Sequence, residues 1–272
     1  MEIQLWRKFL VPYELAVQEL IVKFEHMVKQ YQQAGLYSPI EQVHGRVKTI
    51  SSILAKAKRK GVANDKIKEK IDDIAGIRLI CQFVDDIDAV VEIIRNRSDM
   101  TITSEIDYVH QPKESGYSSY HINISYEVMT IYGKKCIPVE IQIRTLAMNF
   151  WATIEHSLKY KYQGRMPMEI SQRLMASAKA VRALDGEMSS IREDVVDAQQ
   201  LFREKAVMVA DILNNLDNLH KRYQTSEDAI KNIQDEFHRI YNHGSLEELK
   251  DFSNRLDRLA ADRNTQSLSV FE

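Results

Sequence analysis

The chain has 272 residues and a formal net charge of −2, and this length can bury a full core in one large domain or in one domain with a helical appendage. A charge so close to neutral argues against nucleic-acid binding over the whole surface. Both cysteines, Cys81 and Cys136, lie in apolar runs, so we expect buried free thiols and a cytoplasmic protein. No apolar run approaches the length of a membrane span, and the first residues lack the charge order of a signal peptide, so we expect no membrane association.

The first predicted elements are helices on either side of a short strand. Apolar residues recur at three-and-four spacing between about 5 and 33, which predicts one long amphipathic helix. The segment Ser38–Glu41 has the residue types of a helix start, so a short helical turn is expected there. A strand over Val43–Lys48 follows, and then a helix over Thr49–Lys60 that ends at Gly61.

The middle of the chain carries most of the strand signal. The apolar, β-prone run at 74–83 predicts a core strand, and 85–97 predicts a helix. Three further strands are predicted at about 100–109, 118–128 and 134–144. These patterns predict an α+β fold, in which a mixed, partly antiparallel sheet of four or five strands is flanked by helices.

No strand signal returns after Thr145. Residues 146–162 predict a helix, and a near-heptad apolar stripe from Leu174 to Leu216 predicts a long helix that would suit a coiled-coil seam. Two shorter helices are expected over 226–242 and 245–261. The chain is therefore expected to consist of an N-terminal packing helix, an α+β core, a C-terminal helical region and a flexible tail, at 1–37, 38–165, 166–262 and 263–272.

Three polar side chains share one face of the last predicted strand. Strict alternation over Val139–Thr145 puts Glu140, Gln142 and Arg144 on one face and aliphatic residues on the other. Sheet packing does not require an acid, an amide and a guanidinium together. A site that holds a metal ion, a polar substrate and a phosphate does require such groups, so this face is the first candidate site.

A group of cations precedes the core strand. Residues 46–60 include six basic residues and no acidic one. One stripe of the predicted helix carries a hydroxyl and three of these cations: Ser52, Lys56, Arg59 and Lys60. A solvated basic face would explain a run of lysines alone, but Arg46 and Lys48 on the preceding strand favour a polyphosphate-binding site.

Asp73 and Arg78 are polar residues in an apolar setting. Asp73 stands at the entry to the core strand, where a structural turn residue is the ordinary explanation. The alternative is a ligand of Mg²⁺, which takes one or two carboxylates together with substrate phosphates, and Glu140 would supply the second carboxylate. Arg78 lies within the strand, and a buried arginine without a task is uncommon.

A possible aromatic platform lies where a loop becomes a strand, in the segment Pro112–His121. Alternation puts Tyr117 and His121 on one face of the strand, with Lys113 in the loop before it. Taken singly, such a tyrosine or histidine is more often a packing or surface residue. A tyrosine beside a lysine and a histidine is better explained as a base-stacking platform with phosphate contacts.

Four segments together resemble one known family. In chain order they read GRVKTISSILAKAKRK (45–60), DIAGIRLIC (73–81), PKESGYSSYH (112–121) and EIQIRTLAMNFWATIEH (140–156). In order and spacing they closely resemble the synthetase domain of the RelA/SpoT family, and the N-terminal segment looks like that of the small alarmone synthetases. The resemblance covers about residues 5–200 and makes 38–165 the expected synthetase core. No His-Asp hydrolase motif is found, so we expect synthesis without hydrolysis.

The resemblance implies a fold of the nucleotidyltransferase type and transfer of the β,γ-pyrophosphate of ATP to the 3′-hydroxyl of GTP or GDP, with release of AMP. The residues implied at the ATP site are Arg46 and Arg78 around the adenine and, at the phosphates, Lys48, Ser52, Lys56 and Arg59. Those implied at the GTP or GDP site are Tyr117, stacked on guanine, with Lys113, His121, Gln142, Arg144 and Asn149. Asp73 is implied as a Mg²⁺ ligand, and Glu140 as a metal ligand or the catalytic base.

The resemblance also implies a homo-oligomer, commonly a tetramer, although the long helices could instead fold back on their own core. Two other functions remain open. The toxic branch of the family pyrophosphorylates the 3′ end of tRNA with the same active site, and would need a basic surface for the acceptor stem. A non-enzymatic nucleotide- or RNA-binding regulator would make an RNA contact without catalysis, but it gains little from the paired carboxylates Asp73 and Glu140.

Overall fold

Helices and strands are mixed along residues 2–145, and the described residues after 145 contain helices but no strand. The computed structural model describes residues 2–161, 167–223 and 227–268. Its strands are β1 Gln42–Val47, β2 Ala75–Cys81, β3 Thr101–Asp107, β4 Tyr120–Thr130 and β5 Gly133–Thr145. Its helices are α1 Glu2–Gln33, α2 Ile50–Lys60, α3 Ile67–Lys70, α4 Val84–Arg95, α5 Leu146–Lys161, α6 Met168–Tyr223, α7 Glu227–His243 and α8 Leu246–Leu268, with a 3₁₀ turn at Asn64–Lys66. None of the helices in these ranges is both long and apolar enough to cross a membrane.

The chain forms two compact units, Met1–Ser190 and Ile191–Glu272, and α6 contributes to both. The first unit is built on a five-stranded sheet with the order β1-β2-β5-β4-β3. The pair β2–β5 is parallel, and the pairs β1–β2, β4–β5 and β3–β4 are antiparallel. The predicted mixed, partly antiparallel sheet with flanking helices is therefore confirmed.

The register of the strands determines which polar residues share a face. Arg46 is paired with Gly76, Gly76 with Glu140, and Glu140 with Asn123. One row along, Arg78 is paired with Gln142. Paired residues point to the same side of a sheet, so β1, β2, β4 and β5 all add polar groups to one face. Gly76 has no side chain, and this leaves space between Arg46 and Glu140.

The opposite face of the sheet forms the apolar core. Alternate residues of β2, β4 and β5 are almost fully buried there, and helices α1 and α4 cover them; the cluster includes Tyr13, Leu20, Phe24, Ile77, Leu79, Ile87, Val90, Ile122, Val139, Ile141 and Ile143. Each such side chain contributes about 1.5–3 kcal/mol through burial. Packing in this core fixes the position and the register of the strands that carry the polar face.

Helix α2 begins and ends as the sequence predicted. Thr49 is its N-cap and accepts a hydrogen bond from the backbone N–H of Ser52 at 3.3 Å. Gly61 ends it in the left-handed conformation, with φ of 67°. Because Lys48 lies directly before this cap, the cations of β1 and α2 are held close together.

Two local expectations are wrong. Ser38–Glu41 is not helical, because the Ser38 hydroxyl donates to Ile40 O and the Glu41 N–H donates to Ile80 O of strand β2. Cys136 is exposed, since it lies near the outer end of β5, although Cys81 is buried and both thiols are free as expected. In the expected flexible tail, 263–268 continue helix α8 and 269–272 lie outside the described residues, so the flexibility of the tail stays a prediction.

The second unit has an apolar core of its own. The residues that form it come from the last part of α6 and from α7 and α8: Ile212, Leu216, Leu219, Phe237, Ile240, Leu249, Phe252 and Leu256. The predicted capping box before α8 is present, since Ser245 N donates to Glu248 Oε2 at 3.0 Å and Glu248 N donates to Ser245 Oγ at 3.2 Å. The predicted four-part division of the chain stays a prediction.

Candidate active site

Five side chains on the polar face form a closed ring of hydrogen bonds. Glu140 Oε1 lies 3.3 Å from His121 Nδ1, and His121 Nε2 lies 2.8 Å from the hydroxyl of Tyr117. Arg144 Nη2 donates to that hydroxyl at 2.5 Å and to Gln142 Oε1 at 2.8 Å. Gln142 Nε2 closes the ring by donating to Glu140 Oε2 at 2.6 Å. The strand face that the sequence singled out is therefore one connected network.

The direction of the hydrogen bonds in this ring follows from the donors that are available. Arginine can only donate, so the Tyr117 oxygen accepts from Arg144. In the neutral histidine tautomer that pairs with a carboxylate at position 140, the Tyr117 hydroxyl donates its own proton to His121 Nε2. The histidine then carries its proton on Nδ1, toward Glu140. Gln142 also accepts from Arg144, which turns its amide N–H toward Glu140. The two ring neighbours of Glu140, His121 and Gln142, thus both donate to it, and only a carboxylate accepts on both oxygens.

The ionisation of Glu140 follows from this arrangement. Burial raises its pKa, but the hydrogen bonds to His121 and Gln142 lower it, and the balance leaves the pKa below the ordinary glutamate value. The neighbouring charge of Asp73 acts in the raising direction, which places the two carboxylates within electrostatic reach of each other. Glu140 is therefore an anion at neutral pH.

Asp73 is held by two lysines, one directly after β1 and one on α2. Both Lys48 Nζ and Lys56 Nζ contact Asp73 Oδ2, the latter at 2.5 Å. Burial raises the pKa of Asp73, the two lysines lower it, and the result is a lowered pKa. Burial also lowers the pKa of Lys48, and the nearby charge of Lys56 adds to that effect. The second oxygen, Asp73 Oδ1, is buried and has no hydrogen-bond partner among the described residues.

Two adjoining pockets lie on this face of the sheet. The first is lined by His44, Gly45, Arg46, Lys48, Asp73, Ile74, Gly76, Ile77, Arg78, Glu140 and Gln142. The second is lined by Arg46, Arg78, Tyr117, Gln142, Arg144, Ala152, Thr153, Glu155 and His156. They share three residues, Arg46, Arg78 and Gln142. Burial lowers the pKa of Arg78, and repulsion by Arg144 and Arg46 lowers it further, so this shared wall favours an anionic ligand.

Comparisons with known proteins connect this geometry to a family. Residues 45–165 match the model described as the region found in RelA / SpoT proteins. GTP pyrophosphokinase YjbM of Bacillus subtilis (strain 168) is 51% identical over 200 residues, which cover 74% of this chain and 94% of that protein. The chain belongs to the RelA/SpoT family.

Solved structures of family members have the same fold as this chain. Small alarmone synthetase 1 from Bacillus subtilis bound to its product pppGpp superimposes with a TM-score of 0.69 at 50% identity, covering 71% of this chain and 98% of that one. The structure of the same synthetase bound to AMPCPP has a TM-score of 0.63 at 47% identity, with 71% and 99% covered. All the site residues predicted from sequence lie within the matched family region, at 45–165.

Most residues that resemblance to the family implied are brought together. Those lining the two pockets are Arg46, Lys48, Asp73, Arg78, Tyr117, Glu140, Gln142 and Arg144. His121 joins them through the hydrogen-bonded ring, and Lys56 through Asp73. Lys113 is exposed, with its Nζ 5.1 Å from the centre of the Tyr117 ring. These positions agree with the predicted grouping, whereas the role of each residue stays a prediction.

Three further residues of the predicted site do not line either pocket. Ser52 is exposed, and its hydroxyl accepts a hydrogen bond from Thr49 Oγ1 at 2.8 Å as part of the helix cap. Arg59 is exposed in the last turn of α2 and lines neither of the two pockets. Asn149 on α5 also lines neither, although its Oδ1 is buried without a partner among the described residues. These side chains would have to move to reach a ligand in either pocket.

Sequence reasoning missed one wall of the second pocket. It is formed by α5 residues Ala152, Thr153, Glu155 and His156. The signal was present, because positions 149, 152, 153 and 156 recur at helical spacing on one face of a helix that starts directly after Arg144. His44 in the first pocket was missed as well, although its alternation with Arg46 on β1 marked it.

Proposed function

We propose that this protein transfers the β,γ-pyrophosphate of ATP to the 3′-hydroxyl of GTP or GDP, which gives AMP and pppGpp or ppGpp. The observation that carries the proposal is the position of Glu140. It lies between a partly buried cationic group on one side, formed by Lys48 and Lys56 around Asp73, and an aromatic group with Tyr117 on the other. The relatives named GTP pyrophosphokinase and the pppGpp-bound structure support the same reaction.

The first pocket is the proposed ATP site. Arg46 and Arg78 form the wall shared by both pockets, where planar guanidinium groups stack well on an adenine ring. Lys48 and Lys56 lie deeper, beside Asp73, and are the phosphate ligands, with Ser52 and Arg59 of α2 added when the triphosphate binds. The AMPCPP-bound relative supports this site, because that ligand also carries an adenine and a triphosphate chain.

The second pocket is the proposed site of GTP or GDP. The Tyr117 ring is the stacking surface for guanine, and stacking of a base on an aromatic ring contributes about 1–3 kcal/mol. Arg144 and Lys113 both lie over this ring, at 5.0 Å and 5.1 Å. When guanine stacks on the Tyr117 ring, Arg144 and Lys113 would move from the ring to the phosphates of the bound GTP or GDP. His121, Gln142 and Asn149 complete the proposed acceptor residues.

The donor set fits Mg²⁺. Asp73 Oδ1 is buried without a partner among the described residues, and no cluster of three or more His, Cys, Asp or Glu that would suit a metal occurs in them. Mg²⁺ usually takes only one or two carboxylates and completes its shell with phosphates and water, so we assign it to Asp73 and Glu140. When bound, the ion neutralises charge on the transferred pyrophosphate.

Glu140 is the proposed base. The acceptor O3′ forms a bond to the β-phosphorus, the bond from that phosphorus to the oxygen it shares with the α-phosphate breaks, and AMP leaves with that oxygen. The proton of the 3′-hydroxyl passes to Glu140, which its lowered pKa keeps ionised and ready to accept. Lys48 and Lys56 stabilise the charge that develops on the phosphate oxygens.

One assay tests this reaction. Purified protein is incubated with ATP and MgCl₂, and with GTP, GDP or deacylated tRNA in separate samples, and the nucleotides are separated. We expect AMP together with pppGpp or ppGpp in the first two samples. Formation of AMP only with tRNA would replace the proposal by tRNA pyrophosphorylation. No AMP in any sample, with retained nucleotide binding, would leave a binding regulator as the function.

Assembly and location belong to the same proposal. The chain is proposed to act as a cytoplasmic homotetramer, which is supported by an exposed apolar stripe at four-residue spacing on α5: Leu146, Phe150, Ile154 and Leu158. Light scattering measures the mass directly, and a monomeric mass would refute the tetramer. An RNA contact is tested by adding a single-stranded oligonucleotide to the same sample.

A further inference from the structure

The loop that carries Tyr117 is in close contact with helix α6. Gly116, the residue before Tyr117, has φ of +88°, and a Cβ built on it would lie 2.5 Å from the Cβ of Ala178. The backbone of Met175 would lie 3.8 Å away. A side chain at position 116 is therefore excluded twice, by the backbone conformation and by the surface of α6. These α6 residues lie beyond the family region matched at 45–165.

Further contacts fix the same part of α6 in place. The indole Nε1 of Trp151 donates to Leu174 O at 3.2 Å and to Ser177 Oγ at 2.9 Å. Trp151, Ala152 and Ala178 form a small buried cluster, and Tyr117 packs against it. Arg182, one turn further along α6, reaches Gly116 O with its Nη1 at 3.5 Å. The Tyr117 ring thus rests on a surface that α5 and α6 build together.

A second connection leads from α6 to Arg144. The hydroxyl of Thr145, the next residue, donates to Asp185 Oδ2 at 2.8 Å and accepts from Met148 N at 3.0 Å. Asp185 is only 5% exposed, so this hydrogen bond is shielded from water. It ties the end of β5 and the first turn of α5 to the same helix that touches Gly116.

We infer that α6 positions Tyr117 and Arg144, through Ala178 and Arg182 at Gly116 and through Asp185 at Thr145, and thereby sets the affinity for the acceptor nucleotide without touching it. The inference rests on the proposed function, in which these two residues bind GTP or GDP. Ala178, Arg182 and Asp185 are positioning residues. A purely structural role for α6 predicts something different, namely lower thermal stability with unchanged Michaelis constants.

The test compares two glycines. Gly116→Ala adds a methyl group against α6, whereas Gly133→Ala adds it in the β4–β5 turn, where φ is +97° and nothing lies within 4 Å. Both variants bear the backbone strain, but only the first disturbs the contact with α6. We expect Gly116→Ala to raise KM for GTP or GDP by about tenfold or more, because small displacements of binding groups have large effects, while KM for ATP changes less than about twofold. Gly133→Ala should change neither constant.

A compensating variant separates steric contact from strain. Gly116→Ala combined with Ala178→Gly restores the space but keeps the strain, so we expect most of the increase in KM for the acceptor to be reversed. Thr145→Val should raise the same constant, and Thr145→Ser should restore it. Equal changes in KM for ATP and for the acceptor, or no recovery in the double variant, would overturn the inference.

A binding measurement keeps this result distinct from failure of the proposed function. Absence of AMP formation by the wild-type protein with GTP and GDP refutes the function. Calorimetric titration of GDP into the same proteins reports acceptor affinity without turnover, and the expected order is wild type and Gly133→Ala tightest, the double variant next, and Gly116→Ala weakest. Equal affinities for GDP in all four proteins, or no binding to any, would refute the positioning role.

Discussion

The substitution Glu140→Gln tests the hydrogen-bonded ring and the proposed base at once. An amide accepts on one atom and donates on the other, while both ring neighbours of Glu140 donate to it. The new N–H₂ group then faces another donor. If His121 changes its tautomer to accept from it, the proton of Tyr117 loses its acceptor instead. In either case one donor of the ring is left without an acceptor.

The magnitude of both effects follows from the site. An unsatisfied buried donor costs about 1–3 kcal/mol, and the Glu140 side chain is 21% exposed, which favours the lower end. The corresponding fall in the free energy of unfolding, about 1 kcal/mol, lowers Tm by roughly 2–4 °C for a protein of this size. Loss of the base lowers kcat about 10²–10⁴-fold. The assays are scanning calorimetry and formation of AMP from ATP with GTP.

The double variant Glu140→Gln/Gln142→Glu separates stability from catalysis. With the two side chains exchanged, the carboxylate at position 142 accepts from Arg144 and from the amide N–H₂ at position 140. The amide oxygen at position 140 accepts from His121, so every bond of the ring is restored, and we expect Tm to recover and kcat to stay low. Glu127→Gln is the matched control, since it removes an exposed ion pair with Lys134 that contributes little. A double variant that stays destabilised refutes the ring, and a single variant with wild-type kcat refutes the role of Glu140.

Three further outcomes test other parts of the molecule. Tyr117→Ala should raise KM for GTP about 5- to 150-fold through loss of stacking, and Tyr117→Phe, which keeps the ring, should raise it less; equal effects in steady-state kinetics would exclude stacking. Burial raises the pKa of Asp185, so the folded protein retains a proton that the unfolded chain loses above about pH 4, and the stability of the wild-type protein falls as pH rises above that value. Asp185→Asn keeps the acceptor for Thr145 but does not titrate, so the Tm of this variant relative to wild type should rise from about pH 4 upward. A difference in Tm that stays constant with pH contradicts the raised pKa. Phe252→Ala in the second core should destabilise that unit by about 3–5 kcal/mol, seen as faster amide hydrogen exchange in α8, and unchanged exchange would show that this core does not hold the unit.

Periodicity predicted most of the fold because the core follows it. Alternation along β5 and the caps of α2 are local properties, and each is found in the structure. The errors arise where a distant partner decides the local conformation. Ser38–Glu41 has the residue types of a helix start, but the N–H of Glu41 is taken by Ile80 O of a neighbouring strand. The pairing of two strands is part of the tertiary structure, and a short segment of sequence does not determine it.

The site was predicted in part for the same reason. Alternation placed Glu140, Gln142 and Arg144 together, and spacing grouped the cations of residues 46–60. Their contact with Asp73 was not predicted. The ring was not predictable, because it needs the β4–β5 register that pairs His121 with Gln142. The hydrogen bond between Thr145 and Asp185 was also not predictable, since the two residues are 40 positions apart in the sequence. Contacts of long sequence separation decide how these groups are oriented, even where local patterns name them.

The two carboxylates of the site are held by residues that the proposed reaction assigns to different substrates. Asp73 is bound by Lys48 and Lys56, which are assigned to the phosphates of ATP, whereas Glu140 is bound by residues assigned to the acceptor. Phosphates that draw the lysines away release Asp73 Oδ2 for a metal ion. In the proposed reaction, ATP therefore frees the carboxylate that its own phosphate-binding lysines restrain, whereas Glu140 stays oriented by His121 and Gln142 on the acceptor side.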